Sequence, residues 1–188
     1  VLSSFIQRAY DQLSQDLAIN NNPAVILVSW AGISSADVTH LGCFDIAMIS
    51  NIPNIVYLAP TSKEEYLSML DWAVDQNEHP VVIRIPSVVT HSASAVEKDY
   101  GALNRYQIAQ KGSQVALIAA GSFFGLGQQV ADRLKEKGIN ATLINPRYLS
   151  GIDENVLDKL RSNHSLVATL EDGIVNGGFG EKIASFYG

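Results

Sequence analysis

The feature that most constrains this chain is a series of short, largely apolar runs, rich in β-branched residues and spread over its whole length. They are Ala24–Val28, Ile55–Leu58, Val81–Ile85, Val115–Ala119, Ala141–Ile144 and Leu166–Leu170. Runs this short, bounded by turn residues, read as strands packed on both faces rather than as helices. The stretches between them repeat on a helical period. Phe5, Ile6, Ala9, Leu13 and Leu17 mark a first helix, with Ser3 or Ser4 as its cap and Asn20-Asn21-Asn22-Pro23 as its end. Thr61 with Glu64 and Ser62 with Glu65 form two overlapping capping boxes. The helix they open turns Tyr66, Leu67, Leu70, Ala73 and Val74 inward. Leu126, Val130 and Leu134 mark another helix that stops at Gly138, and Asp153 caps the next. Phe44–Ser50 reads as a short helix, and Gly177-Gly178-Phe179-Gly180 leads into the last one.

Strand and helix therefore alternate, which predicts α/β architecture with parallel sheets covered by helices on both faces. The pattern weakens between Ser87 and Gly112, where only Tyr106-Gln107-Ile108 reads as a strand. This places a boundary near Ser94 and predicts two successive parallel-sheet three-layer units, residues 1–94 and 95–188.

A chain of 188 residues buries roughly 70% of its unfolded surface and needs no disulfide or metal to hold a core. No apolar run approaches the ~18–20 residues of a membrane span. The 13 Lys and Arg against 19 Asp and Glu give a formal charge of −6, without a basic cluster, which argues against nucleic acid as a partner. The single cysteine, Cys43, has no partner for an internal disulfide and fits a reducing cytoplasm. Val1 in place of Met, and a helical pattern still running at Ser185-Phe186-Tyr187-Gly188, lead us to expect a fragment cut at both ends.

Ligands in α/β sheets bind at the carboxyl ends of strands. The richest loop there runs from Ala31 to Cys43 and holds Asp37 and His40. It is longer than the ~2–6 residues usual for such connections, and long loops are often functional. His40 is a candidate proton carrier at a bound substrate, or else a side chain that ties down its own loop. His79, His91 and His164 have no short ligand spacing with it, so no metal site is expected from these histidines. Phe5 and Arg8 read either as a core aromatic and a solvated cation, or as a platform for a flat heterocycle with a cation beside it. Gly121–Gly127 lacks the glycine spacing of a dinucleotide turn and the Lys-Ser/Thr of a P-loop, and reads as packing and capping. Glu171 and Asp172 read as a solvated turn, and Cys43 as a small apolar residue rather than a nucleophile.

Four segments occur in an order that resembles a known family. They are Ser4-Phe5-Ile6-Gln7-Arg8-Ala9-Tyr10-Asp11-Gln12, then Asp37-Val38-Thr39-His40-Leu41-Gly42-Cys43-Phe44-Asp45, then Ile52-Pro53-Asn54 with Ala59-Pro60, then Pro80-Val81-Val82-Ile83-Arg84-Ile85-Pro86. The chain resembles the 1-deoxy-D-xylulose-5-phosphate synthases, within the transketolase-like thiamine-diphosphate enzymes, over nearly its whole length. The resemblance implies an incomplete pyrimidine-binding domain followed by a truncated transketolase C-terminal domain. It implies a transferase that joins pyruvate to glyceraldehyde 3-phosphate with loss of carbon dioxide, in isoprenoid biosynthesis, with thiamine diphosphate as cofactor. Magnesium ligands and the catalytic glutamate would lie outside these residues, on a diphosphate-binding domain and a preceding segment, in the same protein or a partner chain. A cytoplasmic homodimer is implied, and the chain alone would be inactive. Phe5 would stack on the aminopyrimidine and Arg8 would sit beside it. His40 and Asp37 would line the substrate pocket as the catalytic pair.

Leu2 stands where the family usually has an aromatic hydroxyl, and Trp30 and Ser87 stand where it has arginines. The Asp37-to-His40 spacing is one residue short of the family's. Two lost charge-assisted contacts, at roughly 1.5–3 kcal/mol each, imply a weaker grip on the acceptor's phosphate. The alternatives are a paralogue with another acceptor, a transketolase C-terminal subunit, a 2-oxoacid dehydrogenase β subunit, and a non-catalytic pyrimidine-domain-like dimerisation module.

Overall fold

The apolar runs form the expected strands, and the strands sort into two sheets. The structure is a computed structural model, and it describes residues 1–33, 39–86, 93 and 95–188. The first sheet holds β1 (Val25–Ala31), β2 (Val56–Leu58) and β3 (Val81–Pro86) in the order β1-β3-β2, all parallel. The second holds β4 (Gln107–Gln110), β5 (Gln114–Ala119), β6 (Thr142–Asn145) and β7 (His164–Leu170) in the order β4-β6-β5-β7. In this sheet β5 pairs in parallel with both β6 and β7, whereas β4 is antiparallel to β6. The link from β4 to β5 is too short for the crossover that a parallel strand needs, so the chain can only reverse there.

The helices are α1 (Ser3–Ile6), α2 (Asp45–Ile49), α3 (Lys63–Asp75), α4 (Phe124–Glu136), α5 (Glu154–Asn163) and α6 (Phe179–Tyr187). Strand alternation assigns each side chain to a layer. On β3, Val81 and Ile83 join a cluster with Met69 and Ala73 of α3, while Val82 faces the other way. On β5, Leu117 and Ala119 pack with Phe124 and Ala131 of α4, while Ala116 and Ile118 face the other way. Both inner faces enter one cluster that also takes Ile46 and Ile49 of α2, Leu157 and Leu160 of α5, and Phe179 and Ile183 of α6. The two sheets thus share a buried apolar layer, in which each fully buried side chain contributes about 1.5–3 kcal/mol.

The open edge of β2 is closed by the second unit. Leu149 N donates to Tyr57 O and Ala59 N to Arg147 O, both at 2.8 Å. A bare edge strand invites foreign pairing, and this contact removes that hazard. The Lys182 ammonium on α6 donates to the carbonyls of Ser50, Leu149 and Ser150 at 3.0, 3.0 and 3.1 Å, tying α2 to the same turn. Among the described residues no helix is long and apolar enough to cross a membrane.

Several expectations are corrected. Val25, Ile26 and Leu27 are only half-buried, because β1 is an edge strand and β3 is the central one. Leu67, Val74 and Leu126 are exposed, since the apolar faces of α3 and α4 centre on Met69 and Ala73 and on Phe124, Gly127 and Ala131. Ser3 and Ser4 lie inside α1 and cap nothing, and Leu2 is the N-cap. Of the two capping boxes, Ser62 with Glu65 forms in part, its return bond going to Thr61 N, one residue ahead of the N-cap. The Ser62 hydroxyl accepts from Glu65 N at 3.1 Å, and the Glu65 carboxylate reaches back to Thr61 N at 2.7 Å. Glu64 instead accepts from Ala93 N at 3.2 Å.

Candidate functional site

The first helical segment takes three windings in turn: α1, then a 3-10 turn over Gln7–Ala9, then π-type winding over Gln12–Ala18. Ile6, Leu13 and Ala18 are buried on its inner side. Phe5 and Arg8, three residues apart, therefore share the outer side. The Arg8 guanidinium carbon lies 5.3 Å from the centroid of the Phe5 ring, within cation–π range, and Phe5 remains 39% exposed.

The second part of the site leaves β1 through an irregularity between Val28 and Ala31. Trp30 lies in it with φ +54°, rare for a bulky residue, and its side chain is exposed. The chain then enters a loop whose neck is closed by two reciprocal backbone bonds. Gly32 N donates to Gly42 O at 2.7 Å and Gly42 N to Gly32 O at 3.1 Å. Glycine is required at both positions. Gly32 has φ +88°, and a Cβ there would sit 1.8 Å from Asp172 Oδ2, while a Cβ on Gly42 would meet Trp30 O at 2.5 Å.

His40 stands just before this neck, with Nδ1 sharing a hydrogen bond of 2.8 Å with Thr39 Oγ1. Its ring meets Phe5 edge-on at 5.1 Å between centroids and 75° between planes. Three of the four sequence-predicted residues, Phe5, Arg8 and His40, are thus brought together from two separate segments. Asp37 lies outside the described residues, as does Ser87.

Beneath the neck is a buried ion cluster that reading of the sequence missed. Arg84 on β3 donates from Nε to Asp45 Oδ2 at 2.8 Å and from Nη2 to Asp45 Oδ1 at 3.3 Å. Its Nη1 donates to Asp172 Oδ1 at 2.6 Å and its Nη2 to the Gly42 carbonyl at 3.3 Å. The Tyr57 hydroxyl donates to Asp45 and the Ser122 hydroxyl to Asp172. Burial pulls the Arg84 pKa down, but Asp45, Asp172 and Tyr57 together outweigh it and hold the guanidinium cationic. Burial, then the Asp45 charge, pushes the Tyr57 hydroxyl well above its ordinary value.

The available signal was Arg84 itself, a cation in the middle of an apolar strand, which demands a buried partner. Asp172, expected in a solvated turn, is buried in this cluster. Glu171, expected beside it in that turn, accepts from Phe179 N at 2.9 Å and Gly180 N at 2.7 Å at the start of α6.

An exposed aromatic ring flanked by a guanidinium and an imidazole fits a flat heterocyclic ligand. Among the described residues no three His, Cys, Asp or Glu side chains gather as a metal-holding group. His164 bonds to Thr142 Oγ1 at 2.8 Å, far along the chain from the loop. Gly127, inside α4, lets that helix approach β5, where a Cβ would meet Ala119 Cβ at 2.7 Å, so this glycine serves packing.

Comparison with known proteins matches two family models to the chain. Residues 1–89 match the transketolase pyrimidine binding domain and residues 104–188 match the transketolase C-terminal domain. The chain is 34% identical over 187 residues to the 1-deoxy-D-xylulose-5-phosphate synthase of Lachnoclostridium phytofermentans, covering 99% of this chain and 30% of that protein. It is 36% identical over 190 residues to the Prochlorococcus marinus synthase, covering 100% of this chain and 29% of that one. The chain therefore spans about three tenths of the length of these relatives. A solved structure described as a split gene transketolase, inactive beta4 tetramer, superposes with a TM-score of 0.84 at 22% identity, covering 98% of this chain and 60% of that one. With its two sheets matched to two successive transketolase domains, the chain belongs to the transketolase-like family and is similar in sequence to the 1-deoxy-D-xylulose-5-phosphate synthases.

Proposed function

We propose that this chain is the pyrimidine-binding and C-terminal part of a thiamine-diphosphate-dependent transferase that condenses pyruvate with an aldehyde, glyceraldehyde 3-phosphate first among the candidates. The observation that carries the reading is the convergence of Phe5, Arg8 and His40, with ring centroids of Phe5 and His40 5.1 Å apart. The chemistry that thiamine diphosphate supplies when bound is a nucleophilic carbon, able to take up a 2-oxoacid, release carbon dioxide and pass the remaining unit to an aldehyde.

This chain's residues do the rest. Phe5 offers its ring to the aminopyrimidine and orients it, since stacking adds only about 0.5–1.5 kcal/mol beyond burial. Arg8 flanks the same ring. His40, with Nδ1 held by Thr39, gives or takes protons through Nε2 at the acceptor or the substrate carbon, and the resemblance to the family assigns Asp37 to the same catalytic work. Trp30 at the mouth of the loop, in place of an arginine, favours an acceptor whose phosphate is loosely held or absent. Magnesium and the diphosphate-binding domain would come from the rest of the protein or a partner chain, in a cytoplasmic homodimer, with the division between the present units near residue 94.

The test is turnover of the intact protein with pyruvate and a series of phosphorylated and unphosphorylated aldehydes, alongside calorimetric binding of thiamine diphosphate. We expect binding, carbon dioxide release, and a His40→Ala variant that loses turnover well before cofactor affinity. A protein that neither binds the cofactor nor releases carbon dioxide is not this enzyme. Equal losses of turnover and affinity in His40→Ala remove the substrate-side role.

A further inference from the structure

We propose that Asp172 and Arg84 are positioning residues through which the second unit sets the neck of the His40 loop. The inference rests on the reading of His40 as a substrate-facing group. The neck is a single pair of reciprocal backbone bonds between Gly32 and Gly42, which alone is weak. Both glycines are in contact with one cluster. Arg84 Nη2 donates to the Gly42 carbonyl, the very oxygen that accepts from Gly32 N. Asp172 Oδ2 leans on Gly32 so closely that no side chain fits between them.

Asp172 belongs to the segment after β7, and Arg84 to β3. The 2.6 Å bond between them therefore crosses from one unit to the other. Asp45 takes the remaining face of the guanidinium with a two-point fork, so Arg84 cannot turn away. Ser122, in the 3-10 turn Gly121–Phe123 that follows β5, donates to the second oxygen of Asp172 at 3.0 Å. The order of control is thus β5 and β7, then Asp172, then Arg84 and Gly32, then the neck, then His40 against Phe5. A site assembled on the first unit is aimed by the second.

Amide exchange and ring-proton shifts on the intact protein test this. In Asp172→Asn, which keeps the shape and removes the charge, we expect the Gly32 and Gly42 amides to exchange about tenfold faster or more, as loss of a charged bond predicts. The His40 ring protons should move toward their free values as the contact with Phe5 loosens, while β5 and β6 amides stay protected. Ser122→Ala, which leaves every charge in place, should shift the same amides in the same direction by less, and it keeps the test open if Asp172→Asn fails to fold. Unchanged exchange at the neck, or a uniform rise over both units, overturns the proposal. Turnover in Asp172→Asn should fall with little change in cofactor affinity, and adding His40→Ala should cost little more than His40→Ala alone. If the neck loosens while His40→Ala leaves turnover intact, the positioning inference stands and the catalytic reading of His40 falls.

Discussion

Arg84 is buried on a strand and has two carboxylates and one carbonyl as partners. Removing one member of a buried ion group leaves the others uncompensated, at about 3–5 kcal/mol. Arg84→Leu should therefore lower the unfolding free energy by that order in urea titration, and a loss under about 1 kcal/mol would show that water or rearrangement supports the two aspartates. Phe5 is the opposite kind of residue, 39% exposed, with the His40 ring and the Arg8 guanidinium against it. Phe5→Ala should cost only about 1–2 kcal/mol of stability, less than a fully buried ring would, and weaken thiamine diphosphate roughly 2- to 10-fold by calorimetry, from the stacking energy alone. An unchanged affinity would place the ring elsewhere. Of these two residues, Phe5 was legible from its segment's resemblance to a family, whereas Arg84's partners were not legible, because both lie far from it in the chain.

At the scale of elements, α6 does two things: it buries Phe179 and Ile183 in the shared apolar layer, and it places Lys182. One ammonium serves three carbonyls, at the end of α2 and in the turn before α5. Burial pulls its pKa down, and Glu171 partly opposes that. Lys182→Met keeps the stem and removes the donors. It should cost about 1.5–3 kcal/mol, as expected for charged hydrogen bonds, and raise amide exchange at the end of α2. A variant as stable as the parent would mean the carbonyls find water. Elements with local signals formed where expected: Ser62 caps α3, Asp153 caps α5 through Val156 N, and Gly138 follows the end of α4 with φ +81°. The inward faces of α3 and α4 were misread by a residue or two, because exposed Leu67, Val74 and Leu126 look apolar regardless of which way they point.

The whole molecule is joined through tyrosines as well as through the shared apolar layer. Tyr57, Tyr100, Tyr106 and Tyr148 are buried, and burial is the first cause raising each hydroxyl, that of Tyr100 to about 12. Unfolded tyrosine ionises near pH ~10. A raised folded pKa gives stability that is complete below the unfolded value and lost as pH climbs toward the folded one. Urea titrations should show the tyrosine contribution flat up to about pH 10 and then falling by about 1.4 kcal/mol per pH unit for each tyrosine still protonated in the fold. Tyr148→Phe should flatten that slope by one proton, and an unaltered slope would show that Tyr148 ionises freely in the native state. The order of strands and helices, the α/β class and the segments carrying Phe5, Arg8 and His40 were all present in the sequence, because period and capping are local properties of the chain. Which strand is central, that β4 runs backwards in its sheet, and that Asp172 crosses to Arg84 beneath the His40 loop belong to the tertiary structure alone. Burial and ion pairing at those places depend on residues brought together from opposite ends of the chain, and no short window of sequence contains both.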